Sequence, residues 1–355
     1  MGWTKPKGYS KSKVDWAGDI LTNERSTNEE KNEALKVLDN WRAIHRYPMH
    51  IFKKRLKRVS QSLDKEALSV QRLKRLPSIL NKLQRKYYGN KATMKLSQMQ
   101  DIAGCRAVMS NVELAKKLYK EAYIRGDLKH KRVNEKDYIK NPKYDGYRSI
   151  HLIYRYKSDK GKKEFNDLLV EVQIRSKLQH LWATAVETVD FITRQSIKSN
   201  EGEKDWAEFF RLVSSSFAKL ERCPEIENTP KDEKELYSLI KKMEKELNVI
   251  TLLSRWTSAI NELEQKKRKK SKEHFYLLEL DIIGRKLSIS TYAESEKDKA
   301  IMDYSRAEKK YGGDKEYDVV LVGADTLHDL RKAYPNYFVD TKEFLSYIRE
   351  IINKY

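Results

Sequence analysis

Cysteine is almost missing from this chain. Its two copies in 355 residues, Cys105 and Cys223, stand far apart, which excludes a disulfide framework and the paired spacing of a zinc site. No apolar run approaches the ~18 residues that would span a bilayer. The N-terminal Met-Gly-Trp-Thr-Lys-Pro-Lys lacks the apolar stretch of a secretory signal. No segment repeats. These absences point to a cytoplasmic chain with reduced thiols, expected to be a monomer with no membrane partner.

Negative charge is also in deficit: 52 Asp plus Glu face 73 Lys plus Arg, a net charge of +21. Such an excess attracts polyanions. RNA, DNA, nucleotides and a membrane surface all qualify, and charge alone does not choose among them. The length suits two domains, and a hydrophobic content of 39% allows a sizeable core.

One stretch carries an unusual pattern. In Leu168 to Arg175, strand alternation puts Leu168, Val170, Val172 and Ile174 on one face and Glu171, Gln173 and Arg175 on the other. Apolar residues on one side with a carboxylate, an amide and a guanidinium on the other suit an active-site strand, and equally an ordinary half-exposed one. Upstream, Pro77 suits a first helical turn, and Ser78, Lys82 and Arg85 share one face of the helix it would start. A hydroxyl and two cations beginning at a helix N-terminus make a phosphate cradle, although basic helices are common. Asp101 enters an apolar strand that contains Gly104 and Arg106.

The rest of the chain sorts by periodicity. Residues 1 to 25 read as a loosely ordered lead-in. Ala34, Leu35, Leu38 and Trp41 begin a helical pattern, and Pro48 marks a break. Lys53, Lys54, Arg55 and Arg58 then form a basic helix, either a solvated face or a polyanion-binding surface. His180, Thr184 and Glu187 share a helix face without metal-ligand spacing. A long helix is expected over Lys234 to Leu263, ending in a charge run. Beyond it, strands near 274–280, 286–292 and 317–322 and two helices make a small α+β domain, its last helix capped by Asp340 with Glu343.

Taken together, Arg72-x-Lys74-x3-Ser78-x3-Lys82-x2-Arg85, Asp101-x4-Arg106, Lys143-x3-Tyr147-x3-His151 and Glu171-x-Gln173-x-Arg175 resemble the synthetase domain of the RelA/SpoT family of alarmone synthetases. The resemblance covers roughly residues 30 to 220. It implies an α+β fold, a mixed β-sheet flanked by helices related to nucleotidyltransferases. It also implies transfer of the β,γ-pyrophosphate of ATP to a ribose hydroxyl. In that assignment Arg72, Lys74, Ser78, Lys82 and Arg85 hold ATP phosphates, with Arg106 on the adenine side. Asp101 and Glu171 hold Mg²⁺, and Glu171 assists deprotonation. Tyr147 stacks on the acceptor base, and Lys143, His151 and Gln173 orient it.

Asp145, where Asn is more usual, and Thr188, where many small alarmone synthetases place His, leave the guanine-nucleotide acceptor open. The hydrolase domain of the bifunctional enzymes is absent: His328-Asp329 is the only His-Asp dipeptide. The C-terminal part, with Phe275-Tyr-Leu-Leu-Glu-Leu-Asp281 and Tyr334-Pro-Asn-Tyr337, resembles that of the CapRel fused toxin–antitoxin proteins (toxSAS), where it is called a pseudo-zinc finger. The resemblance implies a synthetase domain over residues 1–225, a helical linker over 226–270 and a regulatory domain over 271–355. It also implies Tyr334 and Tyr337 blocking the ATP site, a phage capsid protein as trigger, and tRNA pyrophosphorylated at its 3′-CCA end as the toxic product. Tyr334 and Tyr337 suit a helix-stop motif within their own domain as well. A small-nucleotide alarmone synthetase and a catalytically silent RNA- or protein-binding module are the other readings.

Overall fold

The computed structural model describes residues 4, 6–85, 94–193, 202–254, 275–281, 286–311, 317–323 and 341–354. Three helices lead the chain, α1 (Lys11–Thr22), α2 (Asn28–Ile44) and α3 (Arg46–Leu63). The sequence pattern missed α1, which is a formed helix and not a loose lead-in. The Ser10 side chain caps it by accepting from the Lys13 N–H, and Val14, Ala17 and Gly18 are buried. Gly18 allows a close approach there: a Cβ would stand 3.0 Å from Leu96 Cβ and 3.3 Å from Leu83 Cδ1. Pro48 falls in the first turn of α3, where its missing N–H costs nothing.

The sheet is built from β1 (Leu68–Leu73), β2 (Ala103–Met109), β3 (Lys131–Asp137), β4 (Ile150–Arg155), β5 (Leu169–Ser176), β6 (Phe275–Asp281), β7 (Lys286–Tyr292) and β8 (Tyr317–Gly323). Its order is β3-β4-β5-β2-β1-β8-β6-β7. β2 and β5 run parallel; the other neighbours are antiparallel. This is a mixed sheet flanked by helices, as the sequence implied.

Alternation separates the two faces of this sheet. Ala103, Cys105, Ala107, Val170, Val172 and Ile174 turn to α3 and pack with Met49, Phe52 and Leu56; the Cys105 thiol donates to the Met49 carbonyl. Burying each large apolar side chain contributes ~1.5–3 kcal/mol. The opposite face carries Gly104, Arg106, Glu171 and Gln173. Register places Arg72 opposite Gly104, Gly104 beside Glu171, Arg106 beside Gln173, and Gln173 opposite His151.

α4 (Leu76–Gln84) follows β1, and α5 (Val112–Leu118) follows β2. A second core joins α6 (Lys177–Thr193), α7 (Gly202–Leu220) and α8 (Glu233–Leu247) to the final helix, α10 (Lys342–Asn353). The long helix expected from Lys234 is interrupted at Asn248, which adopts the left-handed conformation and ends α8. Helix α10 starts after Thr341 with no side-chain cap bond; the expected cap, Asp340, lies outside the described residues.

The C-terminal strands extend the same sheet. β8 pairs with β1, Arg72 opposite Val322, and with β6 on its other side. Between β7 and β8 lies α9 (Lys297–Tyr311). One face of α9 packs on β6 and β8 through Ala300, Tyr304 and Ala307, and Glu308 forms a buried ion pair with Arg42 of α2 at 2.6 Å. No helix among the described residues is long and apolar enough to cross a membrane.

Candidate active site

The polar face of the sheet opens into a cavity of roughly 260 Å³. Its lining includes Arg72, Lys74, Asp101, Arg106, Tyr147, Glu171 and Gln173. All seven were singled out from sequence. They come from β1, the turn before β2, β2 itself, the loop before β4, and β5. Arg175 and Glu187 line it too; the first stood in the strand pattern without a role, and the second was read only as part of a helix face. His180 and Thr184 of that face are buried while Glu187 is exposed, a distinction that helical spacing alone does not carry.

Asp101 is held by two cations, Lys74 Nζ on one oxygen and Lys82 Nζ on the other, each at 2.9 Å. Burial pushes its carboxyl up, but these two ammonium groups outweigh burial and leave it below the usual carboxylate range. Glu171 accepts from His151 Nδ1 and from Gln173 Nε2, both at 2.8 Å. Burial raises its carboxyl, the His151 contact outweighs that, and the nearby Asp101 charge opposes the net lowering. The two carboxylates therefore stay ionised side by side in one cavity.

A chain of hydrogen bonds continues from Glu171. Tyr147 Oη lies 2.8 Å from His151 Nε2, and Arg175 donates to Tyr147 Oη at 2.7 Å. With Arg175 donating only, the chain is satisfied when Tyr147 donates to Nε2 and Nδ1–H donates to Glu171. In that arrangement the Nδ1 proton faces Glu171. Arg106 and Arg175 both donate to Gln173 Oε1, at 3.3 and 3.2 Å, which fixes the amide so that its NH₂ faces Glu171. Lys143 Nζ stands 4.9 Å from the Tyr147 ring centroid. Backbone geometry aims Tyr147: Gly146 has φ +97°, and Asp145 Oδ1 accepts from the Tyr147 N–H.

Other expected residues stand apart from the cavity lining. Ser78 is half-buried on α4, and Arg85 is exposed at its end. At the start of α4, Pro77 has no N–H to offer and the Leu76 N–H donates to Glu308 Oε1 at 2.9 Å. Lys53, Lys54, Arg55 and Arg58 sit on α3, across the sheet from the cavity; Arg55 spends one guanidinium nitrogen on the Ala122 carbonyl. Tyr334 and Tyr337 lie outside the described residues.

Mg²⁺ prefers one or two carboxylates with water and phosphate oxygens completing its shell. Asp101 and Glu171 fit that donor set, each oxygen keeping a lone pair beyond its present contact. Among the described residues no group of three or more His, Cys, Asp or Glu side chains could hold a metal by itself.

Residues 71–191 match the family model described as a region found in RelA / SpoT proteins. All the cavity-lining residues named above fall inside that segment. Over 122 residues the chain is 34% identical to GTP pyrophosphokinase YjbM of Bacillus subtilis (strain 168), covering 34% of this chain and 54% of that protein. It is 35% identical over 116 residues to GTP pyrophosphokinase YwaC of the same organism, covering 32% and 52%. The chain thus spans about half the length of the curated relatives it matches. Among solved structures, small alarmone synthetase 1 from Bacillus subtilis bound to pppGpp aligns with a TM-score of 0.44 at 24% identity, over 53% of this chain and 94% of that one. Small alarmone synthetase 2 of that organism aligns with a TM-score of 0.41 at 22% identity, over 52% and 93%.

Proposed function

We propose that this chain transfers the β,γ-pyrophosphate of ATP to a ribose hydroxyl. One observation carries the reading: two ionised carboxylates and several fixed cations, delivered by separate strands, converge on a single cavity within the segment that matches RelA / SpoT proteins. Phosphoryl-type transfer is mostly positioning and charge neutralisation. Arg72, Lys74 and Arg106 supply positive charge for the polyphosphate and the adenine side. Asp101 and Glu171 would hold Mg²⁺, which supplies charge neutralisation on the phosphates when bound. Glu171 takes up the proton of the attacking hydroxyl and is neutralised by it, while the His151 Nδ1 contact keeps the carboxyl oriented. Tyr147, fixed by Arg175 and His151, offers a ring face to the acceptor base.

The proposed acceptor is the 3′ end of tRNA, supported by the charge of +21. The basic face of α3 lies across the sheet, so an RNA using it would have to wrap the sheet edge. A guanine or adenine nucleotide is the second reading, favoured by the relatives' designation as GTP pyrophosphokinases. Incubation with γ-labelled ATP and either bulk tRNA or GDP, GTP, AMP and ATP separates the two. Label on tRNA supports the first; label on a nucleotide and none on tRNA rejects it. No transfer to any acceptor, from the full chain or from residues 1–270, rejects pyrophosphate transfer itself.

Control by the C-terminal segment belongs to this proposal. Tyr334 and Tyr337 act as the plug and a phage capsid protein as the release signal. Expression of the full chain, of residues 1–270 and of a Tyr334→Ala/Tyr337→Ala variant tests it by growth. Equal toxicity of all three, or of none, rejects the plug.

A further inference from the structure

The N-terminus of α4 is finished by a residue 232 positions away. Its N-cap, Arg75, makes no side-chain cap bond. The Leu76 N–H donates instead to Glu308 Oε1 on α9. Glu308 is itself held on every side: Arg42 Nη1 donates to Oε2 at 2.6 Å, Arg42 Nη2 to Oε1 at 3.3 Å, and Tyr304 Oη to Oε1 at 2.5 Å. Arg42 also donates to Tyr304 Oη at 2.6 Å. The Arg42 and Glu308 side chains are 4% and 5% exposed, so this cluster is a dry junction of α2, α9 and α4.

What α4 carries makes the junction matter. Lys82 on its last turn holds one oxygen of Asp101, and Lys74, between β1 and α4, holds the other. The β1–α4 unit is thus fixed from three directions, by Asp101 within the site, by β8 along the strand edge and by Glu308 at the helix start. A carboxylate at a helix N-terminus is stabilising, and a buried, multiply bonded one also sets the helix position.

We propose that Glu308 is a positioning residue for the ATP side of the site: by pinning the first turn of α4 it sets where Lys82 and Lys74 meet Asp101. The C-terminal half of the chain thereby tunes ATP affinity through α9. This inference rests on the ATP-site reading given above.

The test uses the full chain and three variants. Glu308→Ala removes the contacts to Leu76, Arg42 and Tyr304, Glu308→Gln keeps an acceptor for the Leu76 N–H, and Ala300→Gly weakens α9 without removing a junction side chain. Binding of a magnesium-bound, non-hydrolysable ATP analogue is measured by calorimetry, amide exchange is followed over residues 76–84, and KM is separated from kcat. Displacing a binding group by about an ångström costs ten- to a hundredfold. Glu308→Ala is therefore expected to weaken the analogue about tenfold or more, raise KM for ATP above kcat effects, and speed exchange in α4. Glu308→Gln recovers part of the loss, and carries the test if Glu308→Ala does not fold. Wild-type affinity in both Glu308 variants, or an equal loss in Ala300→Gly, overturns the proposal alone. A wild-type chain that binds no ATP analogue overturns the ATP-site reading and this inference with it.

Discussion

Replacing Gly146 with Ala should damage fold and acceptor binding together. The residue has φ +97°, a backbone region whose occupation by a side-chain-bearing residue costs roughly 1–3 kcal/mol. The added Cβ would also stand 2.8 Å from both Ser214 Cβ and Trp182 Cζ2. Neither neighbour is free to yield: Trp182 is buried and donates from Nε1 to the Phe210 carbonyl, while Ser214 Oγ donates to the Gly146 carbonyl at 2.6 Å. Overpacking of a filled site typically costs another 1–3 kcal/mol, so the expected loss is roughly 2–6 kcal/mol in urea unfolding followed by Trp fluorescence. The strain falls on the loop that aims Tyr147, so KM for the acceptor should rise while KM for ATP moves little. Gly146→Ala in a Ser214→Gly background should cost less, because one of the two close contacts is gone. A Gly146→Ala chain within about 0.5 kcal/mol of wild type, the scatter of an ordinary surface change, would refute the reasoning.

Glu171→Gln should lower turnover by about 10²–10⁴-fold if the carboxylate takes the proton; near-normal turnover would remove that role. Because the folded carboxyl is held below its ordinary 4.5, its contribution is present above that pH and lost as pH falls through the folded value. Acid should therefore destabilise wild type more steeply than Glu171→Gln, and identical acid limbs in melting scans would contradict the cited cause. Lys82→Met should raise the Asp101 titration toward its ordinary range, and Lys74→Met/Lys82→Met should raise it further. An unmoved Asp101 carboxyl signal in ¹³C NMR would show that these ammonium groups do not hold it. Arg42→Ala and Glu308→Ala should each cost about 3–5 kcal/mol, the penalty for stranding a buried charge. The Arg42→Ala/Glu308→Ala pair should cost far less than their sum, and strict additivity in that double-mutant cycle would argue against coupling.

The strand carrying Glu171 was legible because its code is local. A period of two places Val170, Val172 and Ile174 in the core and Glu171 and Gln173 toward the cavity wherever the strand lies. Short spacings likewise grouped Arg72 with Lys74, and Tyr147 with His151. Misreadings arose where burial came from distant partners. The first helix looked like a polar lead-in because Val14 and Ala17 are apolar islands whose cover, Leu83 and Leu96, lies far along the chain. At the start of α4 the partner of the Leu76 N–H, Glu308, is 232 residues on, out of reach of any local spacing.

The sequence by itself determined which residues face inward along each strand, and which charges were available for phosphate and metal. Side-chain alternation and charge are properties of the covalent chain. Only the tertiary structure decided that Asp101 would be neutralised by Lys74 and Lys82, that Glu171 would be wired through His151 to Tyr147, and that β8 would seat against β1. Those outcomes depend on strand order and helix placement, which long-range burial selects and no local spacing encodes.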